Sequence, residues 1–244
     1  MKDPPGPRQF ATTHWSVVGA ANLNEVSQTH AREALGELCR TYWYPLYAFV
    51  RSRGYLAADA QDLTQAFFTK IIETGGFTSA DRKRGRFRSY LLGAMKHFLT
   101  NEWRRGQTWK RGGKVQFVEW DAIDMEGRYA GASKQSDNPE HLFDYEWALE
   151  TISGALQTLR QEMESAGKRE QFDALKGSLT GEDELSREEI AGKLNMTEGA
   201  VKVAVHRLRQ RYRKLLRAAI AETVSNEEDL NDEMQYLVAV LRRK

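Results

Sequence analysis

Asp59 and Asp62 stand one helical turn apart, a spacing at which two carboxylates could hold a metal ion or divide acid and base work. Acids in the opening turn of a helix are also accounted for without chemistry, because they complement the positive end of its dipole. No glycine-rich phosphate loop or nucleophile elbow accompanies them. His14, His30, His97, His141 and His206 are scattered without ligand spacing. The single cysteine, Cys39, excludes an internal disulfide and every multi-cysteine zinc pattern, and it reads as a small core residue. Neither a metal nor a cofactor is expected, and no catalytic set is assigned.

Recognition chemistry is better supported. Ser186 with Glu189 three residues on is a capping box, which starts a helix whose inner face is Ile190, Ala191 and Leu194. Asn195 stands where the chain must turn, and asparagine tolerates the left-handed conformation of such turns. Thr197 can cap a second helix, with Glu198 favourable at its positive end. On that helix Val201, Val205, Leu208 and Tyr212 recur at steps of four, three and four, forming a core stripe. Lys202, His206, Arg209 and Arg213 follow the same steps one position later, on a neighbouring face. A cationic face beside a buried stripe suits a helix-turn-helix lying in a major groove, with early residues on base edges and later cations on phosphates. A solvated basic face is the plain alternative.

Charge is segregated along the chain although the totals nearly cancel, Lys+Arg 36 against Asp+Glu 34 for a net charge of +2. Residues 82–114 are strongly basic, through Arg82, Lys83, Arg84, Arg86, Arg88, Lys96, Arg104, Arg105, Lys110, Arg111 and Lys114. Residues 119–150 are acidic, 202–217 basic again, and the tail acidic through Glu222, Glu227, Glu228, Asp229, Asp232 and Glu233. Two basic blocks separated by acidic spacers suggest two surfaces for one polyanion. Aromatics stand in or just before the first block at Phe77, Phe87, Tyr90, Phe98 and Trp103, where a ring can stack on an exposed base. Most of these read as core; Tyr90 is the preferred exception, with Phe98 and Trp103 as open alternatives.

The elements that must position these residues are helical. Of five prolines three fall in the first seven residues, and the strand signature is nearly absent, residues 115–118 being the one short candidate. Apolar spacing predicts helices over about 29–53, stopped by Gly54 and kinked at Pro45, over 57–73, ended by Gly75-Gly76, and over 88–103. Pro139 after Asn138 opens another. The glycine-rich stretch before it has weak periodicity and suggests a hairpin at Gly112-Gly113. The expectation is an all-α protein of two helical domains, 1–110 and 139–244, joined by a flexible linker over 111–138. No apolar run is long enough to span a membrane, and the start lacks a secretory signal, so a cytoplasmic location is expected.

Three ordered motifs carry a family resemblance. Asp62-Leu63-Thr64-Gln65-Ala66-Phe67-Phe68 resembles the segment by which sigma factors of the extracytoplasmic-function (ECF) class dock on the clamp helices of RNA polymerase. Phe87-Arg88-Ser89-Tyr90-Leu91-Leu92 with Trp103-Arg104-Arg105 resembles their promoter-melting segment, and Glu189-Ile190-Ala191 through His206-Arg207-Leu208-Arg209 their −35-reading domain. The resemblance covers about residues 30–220 and implies a non-catalytic specificity subunit that binds core RNA polymerase and promoter DNA, with an anti-sigma factor or other regulator as a further candidate partner. It implies polymerase docking by Asp59, Asp62, Gln65 and Phe68. Arg86, Arg88, Tyr90, His97, Asn101, Arg104 and Arg105 would serve the −10 element and melting. Thr197, Glu198, Lys202, Val203, His206, Arg207, Arg209 and Arg213 would serve the −35 element. His97 replaces an asparagine common in the class, and both the opening Phe10–Ser16 and the tail from Glu222 lie outside the minimal pattern. A dimeric helix-turn-helix regulator, or a DNA-processing enzyme using Asp59 and Asp62 as metal ligands, are the alternatives.

Overall fold

A computed structural model of the protein describes residues 25–74, 86–105, 122–132, 138–181 and 186–242. They form ten helices: α1 Glu25–Ser52, α2 Ala57–Glu73, α3 Phe87–Arg105, α4 Ala122–Ala132, α5 Pro139–Ser165, α6 Arg169–Leu175, α7 Gly177–Thr180, α8 Arg187–Lys193, α9 Glu198–Ala221 and α10 Glu227–Arg242. No strand occurs among the described residues, and the fold is all-α as expected. The candidate strand, the Gly112-Gly113 hairpin, Gly75-Gly76, Phe77 and Phe10–Ser16 fall outside them. Contacts divide the chain into two units, Met1–Glu150 with Ile220–Lys244, and Thr151–Ala219.

The first unit is built on α1, whose Tyr42, Trp43, Leu46, Tyr47, Phe49 and Val50 are all buried. The helix runs through Pro45 and stops at Gly54, whose φ of 93° is the left-handed conformation that glycine adopts without penalty. Trp43 stacks on Phe68 of α2 with centroids 5.5 Å apart, and Phe67 meets Phe98 of α3 edge to face at 5.7 Å. Tyr42 meets Phe87 at 5.3 Å, so one aromatic layer joins three helices. Cys39 is buried on α1, and burial pushes its thiol up to about 12.

Two segments join this unit against expectation. Part of the predicted flexible linker is α4, which buries Met125 and Ala132. Glu126 of α4 accepts from Arg51 Nε and Nη2, each at 2.8 Å, and from the Tyr47 hydroxyl, while Arg128 is paired with Glu146 and Glu150 of α5 and lies 3.7 Å from the Tyr44 ring centroid. The C-terminal tail is the second. Leu230, Glu233, Leu237 and Val240 of α10 recur at steps of three, four and three and are all buried. Each aliphatic side chain so buried contributes about 1.5–3 kcal/mol. Residues 139–150 and 220–244, expected in one domain with the helix-turn-helix, therefore group with the N-terminal residues instead.

The second unit packs Leu159 of α5, Phe172 and Leu175 of α6, Ile190 and Ala191 of α8, and Val201 and Leu208 of α9 into one core. Helix α5 begins as predicted, the Asn138 side chain accepting from Glu140 N at 2.9 Å. It ends at Gly167, with φ 68°.

Candidate nucleic-acid interface

The helix-turn-helix forms as the residue types require. Ser186 Oγ accepts from Glu189 N at 3.2 Å while Glu189 Oε2 accepts from Ser186 N at 2.7 Å, closing the capping box. These bonds hold the exposed Glu189 carboxyl below the usual range. Asn195 takes φ 51°, and Met196 N donates back to Ala191 O at 2.9 Å, which closes the turn. Thr197 Oγ1 accepts from Ala200 N at 3.2 Å and starts α9.

Helix α9 presents a divided surface. Val201 and Leu208 are buried and Val205 and Tyr212 half-buried, so the neighbouring row Lys202, His206, Arg209 and Arg213 faces outward. Glu198 is exposed at the start of the helix. Arg209 differs from the rest of the row, since its Nε and Nη2 donate to Ser178 O at 3.2 and 2.8 Å and tie α9 to α7. Val203 and Arg207, grouped by sequence with the reading residues, lie about 100° and 140° round the helix from Lys202. There they line a groove of about 620 Å³ with Met163, Leu175, Met196 and Arg211. Arg211 pairs with Glu162 across that groove, with Nε to Oε2 at 2.7 Å, and the bond holds the Glu162 carboxyl below its ordinary value.

In the first unit, α2 exposes Asp59 and Asp62 and half-exposes Gln65, while Leu63, Thr64, Phe67 and Phe68 face inward. Phe68 is a correction to the docking set. Its ring is fully buried against Trp43, because a phenyl group three residues beyond Gln65 turns onto the core stripe. Helix α3 brings His97 and Asn101 into a 3.1 Å hydrogen bond, with Arg104 exposed on the same side. Of Arg105 only the backbone is described.

Arg88 is a second correction. It is 6% exposed, lying between Trp147 and Tyr236 with its guanidinium 4.8 and 4.4 Å from their ring centroids. Glu233 accepts from its Nε at 2.9 Å, and Asp144 accepts from its Nη1. Burial opposes the charge of Arg88, yet the carboxylates outweigh it and raise its pKa. A guanidinium so enclosed is a structural ion rather than a phosphate ligand. Arg86 is partly covered by the same tail, at 3.1 Å from Glu233 and 3.3 Å from Asp232. The aromatics also depart from expectation. Tyr90 is half-buried, its ring 6.3 Å from that of Phe87, while Trp103 is 80% exposed.

A family model described as ECF sigma factor matches residues 51–218, more than half of the chain. The chain belongs to the ECF sigma factor family. No curated protein and no solved structure matches it. As an ECF sigma factor it serves transcription initiation, and the family implies a non-catalytic polymerase subunit with core RNA polymerase and promoter DNA as partners. No described helix of this sigma factor is long and apolar enough to cross a membrane, and the described residues hold no cluster of His, Cys, Asp and Glu that could bind a metal.

The match stops before α10. What sequence reasoning missed in the sigma factor is this tail, with Asp144, Asp232 and Glu233 as partners of the basic block. Its one legible signal was the step pattern Leu230, Glu233, Leu237 and Val240, an apolar stripe with a carboxylate set into it.

Proposed function

We propose that the two units divide promoter recognition: the first docks on core polymerase and opens the −10 element, and the second reads the −35 element. The observation that carries the reading is the outward row Lys202, His206 and Arg213, set beside the buried Val201 and Leu208 on a helix started by a capped turn. In the N-terminal half of α9, Glu198, Lys202 and His206 reach base edges, a lysine donating to guanine and a glutamate accepting from a cytosine amine. Thr197 holds the helix start, and Arg213 meets phosphate, which fixes register without carrying sequence. Arg209 braces α9 through Ser178 and sets its tilt.

Docking is assigned to Asp59, Asp62 and Gln65 on the outer face of α2, with Leu63 and Phe67 holding that helix in its own unit. Opening is assigned to the outer face of α3. His97 and Asn101 face the unpaired base, Arg104 follows the backbone, and Tyr90 or the exposed Trp103 takes a base by stacking, each such contact being worth ~1–3 kcal/mol. A polymerase subunit of this kind works where the chromosome is, in the cytoplasm.

Transcription in vitro with purified core polymerase tests the whole reading: the sigma factor should create defined start sites that core alone does not use. Asp62→Ala combined with Gln65→Ala should weaken core binding without changing helical content. Unchanged affinity in a core-binding titration removes this face of α2 from the interface.

A further inference from the structure

Helix α3 begins with a local conflict. Its first turn contains no acidic residue, yet Arg86, whose carbonyl accepts the first helical bond from Tyr90 N at 3.1 Å, and Arg88 put two cations at the positive end of the helix dipole. Among the described residues, the relief comes from the C-terminal tail.

Asp232 and Glu233 of α10 bring their carboxylates to Arg86, and Glu233 also holds Arg88 through Nε at 2.9 Å and Nη2 at 3.5 Å. Phe87 N, in the first turn of α3, donates to Thr223 O at 3.4 Å in the segment leading into α10. Tyr236 closes the arrangement from the far side, donating to Asp144 Oδ2 at 2.5 Å while its ring covers Arg88. Four side chains of two helices, Asp144 of α5 with Asp232, Glu233 and Tyr236 of α10, and the Thr223 carbonyl thus define where α3 starts and which way its first turn faces. Tyr90 stands on that turn.

We infer that α10 is a brace for promoter opening, with Glu233 as the positioning residue that orients the first turn of α3 through Arg86 and Arg88. This rests on the assignment of α3 to melting made above. A removable cover is the competing arrangement, in which the tail imitates DNA phosphate and must leave before Arg86 and Arg88 can bind it. Burial argues against it. Glu233 is 1% exposed, and withdrawing α10 would take the Glu233 carboxylate from Arg88 and the Tyr236 hydroxyl from Asp144 and uncover Leu230, Leu237 and Val240.

The test uses full-length sigma factor assembled with core polymerase, on one promoter as intact duplex and the same promoter mismatched over the −10 element. Wild-type initiation on the duplex checks the parent reading, and its failure would be seen before any variant is compared. Glu233→Gln keeps the shape and removes the charge. It should lower initiation from the duplex about tenfold, as when one charge-assisted bond stops supporting the slow step, and the mismatched template less than about twofold. Asp232→Ala and Arg86→Ala, at partly exposed positions that tolerate substitution, should show the same template dependence more weakly, with the salt slope of promoter binding unchanged. If Glu233→Gln does not fold, these two decide. Faster initiation or tighter promoter binding by Asp232→Ala would establish the cover instead of the brace. A salt slope shallower by about one for Arg86→Ala would make that residue a phosphate contact. Equal loss on both templates, or wild-type behaviour on both, would also overturn the brace.

Discussion

Helices α3 and α9 both carry cations in basic stretches of sequence, and the fold treats Arg88 of α3 and the row on α9 oppositely. On α9 the row Lys202, His206, Arg209 and Arg213 stays at the surface because Val201 and Leu208 take the core. On α3, Arg88 is itself core, held by Glu233 and Asp144 between two aromatic rings. A run of positive charge in a sequence therefore states what is present and not what is available. Availability depends on whether an acidic segment, here one about 145 residues away, returns to claim it.

The comparison breaks most sharply at Arg88. Arg88→Ala should destabilise the protein by about 3–5 kcal/mol in chemical denaturation, because Asp144 would be left buried without its cation and Glu233 would keep only Arg86. Lys202→Ala, in the exposed row, should leave stability within about 0.5 kcal/mol. Comparable losses from the two would mean that Arg88 and the α9 row are not different in kind.

The second prediction belongs to α9 alone. In the holoenzyme with a randomised −35 library, Lys202→Ala should relax preference at one promoter position by ~1–3 kcal/mol. Arg213→Ala should weaken all sequences alike and make the salt slope shallower by about one. A changed motif with Arg213→Ala would require a different docking of the helix.

Ser186→Ala probes an element that owes its start to local residues. Loss of the cap should cost about 1 kcal/mol, read as a lower denaturation midpoint with unchanged α2-dependent core binding. The smallest effect is expected at Arg51 and Glu126, a pair intermediate in exposure between Arg88 and the α9 row. The hydrogen bond from Arg51 is the main influence holding the Glu126 carboxyl below its ordinary range, and it outweighs burial. A carboxyl depressed in the folded state contributes stability that is complete above its unfolded value and is lost as pH falls through the folded one. Acid titration of stability should therefore show a component that Glu126→Gln abolishes, measurable as slower exchange of α4 amides above that range in the wild type only.

The parts legible in the sequence are those whose causes lie within a few residues. The capping box at Ser186 and the caps at Thr197 and Asn138 follow from side chains meeting backbone groups within about one turn, and the left-handed Asn195 and the stop at Gly54 from the backbone conformations that those residue types tolerate. The outward row on α9 follows from helical period once Val201 and Leu208 are known to be apolar. By contrast, α4 was hidden because its two glycines and short length weaken the periodicity. What holds it is Glu126 meeting Arg51 and Tyr47 from far along the chain.

By itself, then, the sequence determined the all-α class, the positions of the main helices, the helix-turn-helix and the family, since these depend on local periodicity and on motifs of fixed spacing. Only the tertiary structure decided that Phe68 faces inward, that Trp103 rather than Tyr90 is the exposed aromatic, and that Arg88 is an internal ion. It also decided that the acidic tail belongs with the N-terminal unit. The physical reason is common to all four: the burial of a side chain is set by what packs against it, and a charge from a distant segment leaves no mark on the residues beside the one it neutralises.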